Sequence, residues 1–299
     1  MIRSLVCLSG RFGDQNVFIQ ISGLMWLLFV LLPGFLAKLY YRRLLQQRYP
    51  ASHFSPPRAV HPCGDGWVSY LLRMFEPSEL FDLNQTEHAA IFNGCRHAWD
   101  ALKKIPVYLM SNLRPGLRNR CEGRAFIGEQ VFIGEGTVVE DGVMIKGPAI
   151  IGKNCQIRHN AYIREDVIVG DNCVIGNSCE FKSCLLFNGA KVPHFSYVGD
   201  SIFGAEAHLG AGVKISNVKL FSGNVTVEMD GEQFDTGLRK FGALLGDHTD
   251  IGCNSVLNPG SIIGRGSVIY PNTNWRGILP AHMIVKNQAP FELVARRGN

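Results

Sequence analysis

The stretch KVPHFSYVGD, residues 191–200, sets His194 behind a proline and Tyr197 three positions on. An imidazole ionises near pH 6.5 and is largely a free base at neutral pH, so it can take a proton from an attacking amine or hydroxyl. Arg164 and Lys182 are two cations that together could clamp a phosphate or carboxylate. Lys191, Gly210-Ala211-Gly212 and Asn217 complete the group. A lone histidine in a turn is more often a packed residue; this company favours chemistry. Metal chemistry finds less support. Nine cysteines include no C-x-x-C pair and their odd number suits reduced thiols, while His159, His194, His208 and His248 lack the paired spacing of a zinc hydratase site. No metal is expected.

The elements that must position these side chains are announced by a repeat. From Ile127 an aliphatic residue returns every sixth position through Ile133, Val139, Ile145, Ile151, Ile157, Ile163, Val169 and Ile175 to Phe181. The phase resumes after a five-residue step at Leu186, Val192 and Val198, and after another at Phe203, Leu209 and Ile215; a second block runs Leu245, Ile251, Leu257, Ile263, Ile269. One such unit cannot bury its apolar face until neighbours stack on it, and three units make one coil of a parallel β-helix. Residues eighteen apart are then neighbours on successive coils, which stacks Arg164 on Lys182. Cys155, Cys173 and Cys179 share the small-residue phase of this repeat and read as structural. Residues 216–242 lose the period; Asp230-Gly231 between strand-like residues predicts a hairpin there.

Around the solenoid, expected to span 121–285, three other regions follow. Residues 51–120 read as a helical cap or oligomerisation segment, with His88, His97 and Trp99 assigned to packing and Pro106 and Pro115 as punctuation. Residues 286–299 form a tail. Residues 1–50 contain the uncharged stretch 17–37, followed by Lys38, Arg42, Arg43 and Arg48. About 20 apolar residues suit a spanning helix, and the basic flank would hold the following chain in the cytoplasm, attached to the inner membrane. Pro33-Gly34 interrupts the stretch, and a peripheral helix or a start at Met25 stays open. The net charge of +5 does not imply a nucleic-acid partner: residues 1–60 hold seven Lys or Arg against the single Asp14, so the excess is local.

At FKSCLLFNGAKVPHFSYVGDSIFGAEAHLGAGVKISN, residues 181–217, the sequence resembles, without gaps, the acetyltransferase domain of the bifunctional glucosamine-1-phosphate N-acetyltransferase/N-acetylglucosamine-1-phosphate uridyltransferase family. TGLRKFGALLGD, residues 236–247, is similar to archaeal sugar-1-phosphate nucleotidylyltransferases that carry an acetylating solenoid. The resemblance covers roughly 120–285 and implies a left-handed β-helix, acetyl-CoA as cosubstrate with no metal, an amino-sugar 1-phosphate as acceptor on the path to UDP-N-acetylglucosamine, and a homotrimer. It implies His194 as general base, Arg164 and Lys182 as the phosphate pair, Tyr197 and Asn217 as substrate contacts, and Lys240 as a cation supplied by a second subunit. Ala211 falls near the thioester, where backbone amides could hold an oxyanion. His208 replaces a substrate-binding Asn, Val218 a Tyr, and Cys253 a Ser near the cofactor. The Gly-rich nucleotidyl-transfer loop does not occur in the sequence, so no uridylyl transfer is expected. Acylation of a nucleotide sugar or lipid precursor, and a scaffold that binds sugar phosphate without turnover, remain as alternatives.

Overall fold

An aliphatic side chain at every sixth position leaves water only against copies of itself, and the computed structural model shows how. It describes residues 6–12, 15–21, 75–229 and 232–287, in two units, 1–61 and 62–299. In the second unit, short parallel strands stack into a three-sided β-helix of hexapeptide repeats. Nine strands form one side, and a fifteen-stranded sheet wraps the other two. Side one carries Val174–Asn177, Lys191–His194, His208–Leu209 and Asp250–Ile251. Side two carries Tyr162–Ile163 and Lys214–Ile215, and side three Val167–Val169 and Ala243–Leu245.

The register is the expected one. Tyr162 pairs with Met144 and with Glu180, one coil below and one above. The five-residue steps shorten two coils, so Glu180 lies against Tyr197 and Lys182 against Gly199. There Glu180–Leu186 and Tyr197–Phe203 run round the corner from side two to side three as unbroken seven-residue strands. The inward aliphatic residues are sealed: Ile151, Val169, Leu186, Phe203, Leu245 and Ile263 have no exposed surface. At the corners small polar residues close the gap between coils. The Thr137 hydroxyl donates to the Gly152 carbonyl at 2.8 Å, and the thiols of Cys155 and Cys173 donate to Gly170 and Phe187 at 3.1 Å. The buried cysteines thus do what Ser255 and Ser267 do higher up.

Residues 75–113 lie over side three. Phe81 and Phe92 pack on the outward Phe187 with ring centroids 5.2 and 5.9 Å apart, and Ile168, Leu185, Ile202 and Leu244 are buried beneath the same layer. Asp247 ties the layer down: its carboxylate accepts from the backbone N–H of Asp82 at 2.6 Å and of Ala205 at 2.8 Å. Of the helical segment expected over 51–120, the described residues from 75 onward are only partly helical. Pro77–Leu80, Leu83–Gln85 and Ala89–Phe92 are single turns, and Asp100–Asn112 is the one long helix among the described residues. The first turn buries Leu80 and the third Ile91 and Phe92, while Leu83–Gln85 buries none, and Gly94 takes a left-handed φ of +71° before the long helix. Pro106 lies inside that helix rather than at its end. Gly116–Leu117 and Arg120–Glu122 already pair with Val131–Ile133 and Val138–Glu140, so the solenoid starts before the aliphatic period becomes readable.

The excursion behaves as its turn signal predicts. Thr226–Met229 and Glu232–Asp235 pair antiparallel with Met229 opposite Glu232, and Val225 and Val227 are buried with the residues of the overlying layer. Its two ends are zipped: Phe241 N–H donates to the Asn217 carbonyl at 2.9 Å, Gly242 N–H to the Asp200 carbonyl at 2.8 Å, and Val218 bridges Lys240.

In the first unit Val6–Phe12 pairs antiparallel with Gln15–Ile21, with Phe12 opposite Gln15. Residues 17–21 are therefore strand and not the start of a spanning helix, and Gly13 and Asp14 lie outside the described residues. Residues 22–37, like most of 1–50 and the tail beyond 287, lie outside the described residues. Among the described residues no helix is long and apolar enough to cross a membrane.

Candidate functional site

Two adjacent corners of the solenoid collect the polar side chains. The corner between sides one and two carries His194, Ala211 and Cys253 on successive coils: Gly212 N–H donates to the His194 carbonyl at 3.0 Å, and Asn254 N–H to the Ala211 carbonyl at 2.9 Å. Phe195 turns this corner at φ +53° and Gly212 at φ +74°. The His194 imidazole is exposed, and among the described residues its ring nitrogens have no hydrogen-bond partner. Its only ring neighbour there is Phe195, 6.0 Å away. The N–H groups of Ala211 and Cys253 likewise meet no acceptor among the described residues. Gly210 lets these coils approach: a Cβ there would stand 2.6 Å from Cys253 N.

The corner between sides two and three holds the charges. Arg164 donates to Glu180 at 2.9 Å and to Glu165 at 3.3 Å. The Glu180 hydrogen bond, ahead of the Glu165 charge, raises its guanidinium above the ordinary value. Lys182 Nζ lies 3.8 Å from Asp200 and 4.0 Å from Glu165, with its side chain only 13% exposed. Burial pushes the Asp200 carboxyl up, against the pull of Lys182, the Asn217 amide and Lys240. Asp166 is raised by burial and by Glu165. At Glu165 burial works upward, but the residue's own backbone N–H, Arg164 and Lys182 outweigh it and hold the carboxyl low. Arg164 and Lys182, which the resemblance implies as a phosphate pair, share Glu165, and each has a further carboxylate partner of its own.

Tyr197 joins the corners. It stands on side two, and its hydroxyl, 3.2 Å from Asn217 Nδ2, reaches toward the charged corner. Burial raises its phenol above the ordinary value. Arg164, Lys182, Tyr197, Asn217 and Lys240 are therefore brought together. Lys240, implied to come from a second subunit, is held by its bridge to Val218 at the zipped base of the excursion, near enough for its charge to lower the Asp200 carboxyl of its own chain. His208 is not part of this group: it lies on side one, next to Lys191, with Nδ1 2.9 Å from Asp250. Glu165, Asp166, Glu180 and Asp200 escaped the sequence reading. The triplet Arg164-Glu165-Asp166 and the run Gly199-Asp200 were visible signals, since acids stacked on basic coils must meet them. Among the described residues no group of three or more His, Cys, Asp or Glu could hold a metal ion.

Residues 145–231 match the family model described as the GMPPB C-terminal domain. A bifunctional sugar-1-phosphate nucleotidylyltransferase/acetyltransferase of Sulfurisphaera tokodaii is 39% identical over 92 residues, 31% of this chain and 23% of that protein. A bifunctional protein GlmU of Methanococcus vannielii is 36% identical over 93 residues, 31% of this chain and 22% of that protein. Among solved structures, LpxA from Acinetobacter baumannii is 20% identical over 58% of this chain and 69% of that chain, with a TM-score of 0.31. The chain therefore carries a hexapeptide-repeat domain similar to part of these bifunctional proteins, of whose length it spans less than a quarter.

Proposed function

We propose that this chain is an acetyl-CoA-dependent N-acetyltransferase acting on an amino-sugar 1-phosphate, with glucosamine 1-phosphate the first acceptor to test. The observation that supports it is the pairing of two corners: His194 beside the Ala211 and Cys253 N–H groups, which meet no acceptor among the described residues, on one, and Arg164, Lys182 and Lys240 on the next, with Tyr197 and Asn217 between them. In this reading the charged corner holds the sugar phosphate and leaves the amine near His194. As the amine nitrogen forms its bond to the thioester carbonyl carbon, His194 takes the amine proton. The carbonyl oxygen gains charge and is met by the Ala211 N–H. The carbon–sulfur bond then breaks, and the proton passes to the departing CoA thiolate. A homotrimer belongs to the same proposal.

The test is release of free CoA from acetyl-CoA, followed by chromatography, across a panel of amino-sugar phosphates. CoA release that depends on glucosamine 1-phosphate is the expected result. Binding of the sugar phosphate without any release supports the second reading, a non-catalytic sugar-phosphate scaffold, which the lack of an orienting partner for His194 among the described residues favours.

A further inference from the structure

The Asn217 amide has two N–H donors and one carbonyl, and the site consumes both donors internally. Its Nδ2 lies 2.5 Å from Asp200 Oδ2 and 3.2 Å from the Tyr197 hydroxyl oxygen. Turning the amide over would set Oδ1 against the Asp200 carboxyl, acceptor on acceptor when that group carries its charge beside Lys182, so Asp200 decides which end faces out. Among the described residues nothing bonds to Asn217 Oδ1. The Tyr197 hydroxyl accepts from Asn217 and so keeps its own proton free to donate outward. The sequence makes room for this contact: a Cβ on Gly199 would stand 2.6 Å from the Tyr197 hydroxyl and 2.7 Å from Asn217 Nδ2. Asp200 itself is fixed. Its backbone sits at φ +48°, its carbonyl accepts from Gly242, and its other carboxylate oxygen faces Lys182.

We propose that Asp200 is a positioning residue that sets the hydrogen-bond polarity of the pocket. It turns Asn217 so that an acceptor, Oδ1, stands beside a donor, the Tyr197 hydroxyl. A ligand with a donor next to an acceptor fits that pair, as the neighbouring polar substituents of a hexosamine ring do. The ligand class rests on the proposed function above; the role of Asp200 in orienting the amide rests on the geometry alone.

The experiment is calorimetric titration of the full chain with glucosamine 1-phosphate and, separately, with acetyl-CoA. Asp200→Asn keeps the size of the side chain and tolerates the left-handed backbone, but can present either amide end to Asn217. It is expected to weaken glucosamine 1-phosphate binding about tenfold, the effect of one misdirected hydrogen bond, and to leave acetyl-CoA affinity as it was. The sign is diagnostic: removing a negative charge beside Lys182 would by electrostatics alone tighten an anionic ligand. Asp200→Asn added to Asn217→Ala should cause no further loss. Equal or tighter binding by Asp200→Asn, or additive losses in the double variant, overturns the proposal. Asp200→Ser, with the same expectation, takes its place should Asp200→Asn not fold. A wild-type chain that binds the sugar phosphate without transferring acetyl refutes the catalytic reading and leaves this one standing; a wild-type chain that binds no hexosamine 1-phosphate overturns both.

Discussion

Glu165 stands where an anionic substrate would want only cations. Its carboxylate is 3.3 Å from Arg164 and 4.0 Å from Lys182. A phosphate oxygen accepting from Lys182 at about 2.8 Å would lie up to about 7 Å from that carboxylate. Two unit charges at about 7 Å repel by about 0.6 kcal/mol in water and about 2.4 kcal/mol at an effective dielectric of 20. The Glu165 side chain is 40% exposed, which places the value toward the lower end, near 1 kcal/mol per phosphate charge. For a phosphate monoester near neutral pH the total is about 1.5 kcal/mol, or about tenfold in affinity. Glu165→Gln is therefore expected to lower the KM for glucosamine 1-phosphate about tenfold. Arg164 stays anchored on Glu180, so the corner keeps its shape. The assay is CoA release at varied acceptor concentration, run in parallel with unphosphorylated glucosamine and at two ionic strengths. The gain should vanish for glucosamine and shrink in high salt, where screening shortens to a few ångströms. An unchanged or raised KM for the phosphorylated acceptor would mean that the phosphate does not sit at Lys182, and the reasoning fails.

His194→Ala should lower turnover by about 10² to 10⁴-fold, the usual contribution of a general base, while circular dichroism and sugar-phosphate binding stay as in the wild type; wild-type turnover would reduce His194 to a turn residue. Asp247→Ala strips the acceptor from two backbone N–H groups and leaves Arg265, 3.3 Å away, without its counter-charge. It should cost about 3 kcal/mol in chemical denaturation, and a loss below about 1 kcal/mol would show that residues 75–113 do not depend on this tie. Incubation with UTP, magnesium and N-acetylglucosamine 1-phosphate should release no pyrophosphate above blank, since the sequence holds no Gly-rich nucleotidyl-transfer loop; robust release would refute that reading of the motif.

The solenoid was legible because its signal is one-dimensional. A buried aliphatic column such as Ile151, Val169 and Leu186 is periodic in sequence and in space at once, and even the five-residue steps showed as a change of phase. The layer over side three was not legible in the same way. Phe81, Phe92 and Phe187 meet only because single turns of residues 77–92 happen to present their rings to a solenoid position that the repeat leaves facing outward. Apolar spacing within 75–95 does not distinguish three such turns from one helix. The first coil was missed for a related reason: Leu117 and Cys121 pair correctly with Ile133 and Val139, but an end coil has no second neighbour demanding an aliphatic residue.

At the site, the residues that depart from the repeat were readable and their mutual charge state was not. A resemblance transfers Arg164 and Lys182 as a phosphate pair by position, yet what a cation does depends on what stacks beside it. In a β-helix that neighbour comes from about eighteen residues away, or, after a five-residue step, from seventeen. Lys182 lies against Gly199, so Asp200 arrives one position beyond the register, at the turn of an unbroken strand, and its carboxylate reaches back to Lys182 and across to Asn217. The short steps at Leu186 and Phe203 leave no separate turn at this corner, so charges that full-length coils would carry on outward loops are drawn together. The same shortening that interrupts the hexapeptide phase therefore builds the polar corner, and it explains why the interruption and the candidate binding residues occupy one stretch of sequence.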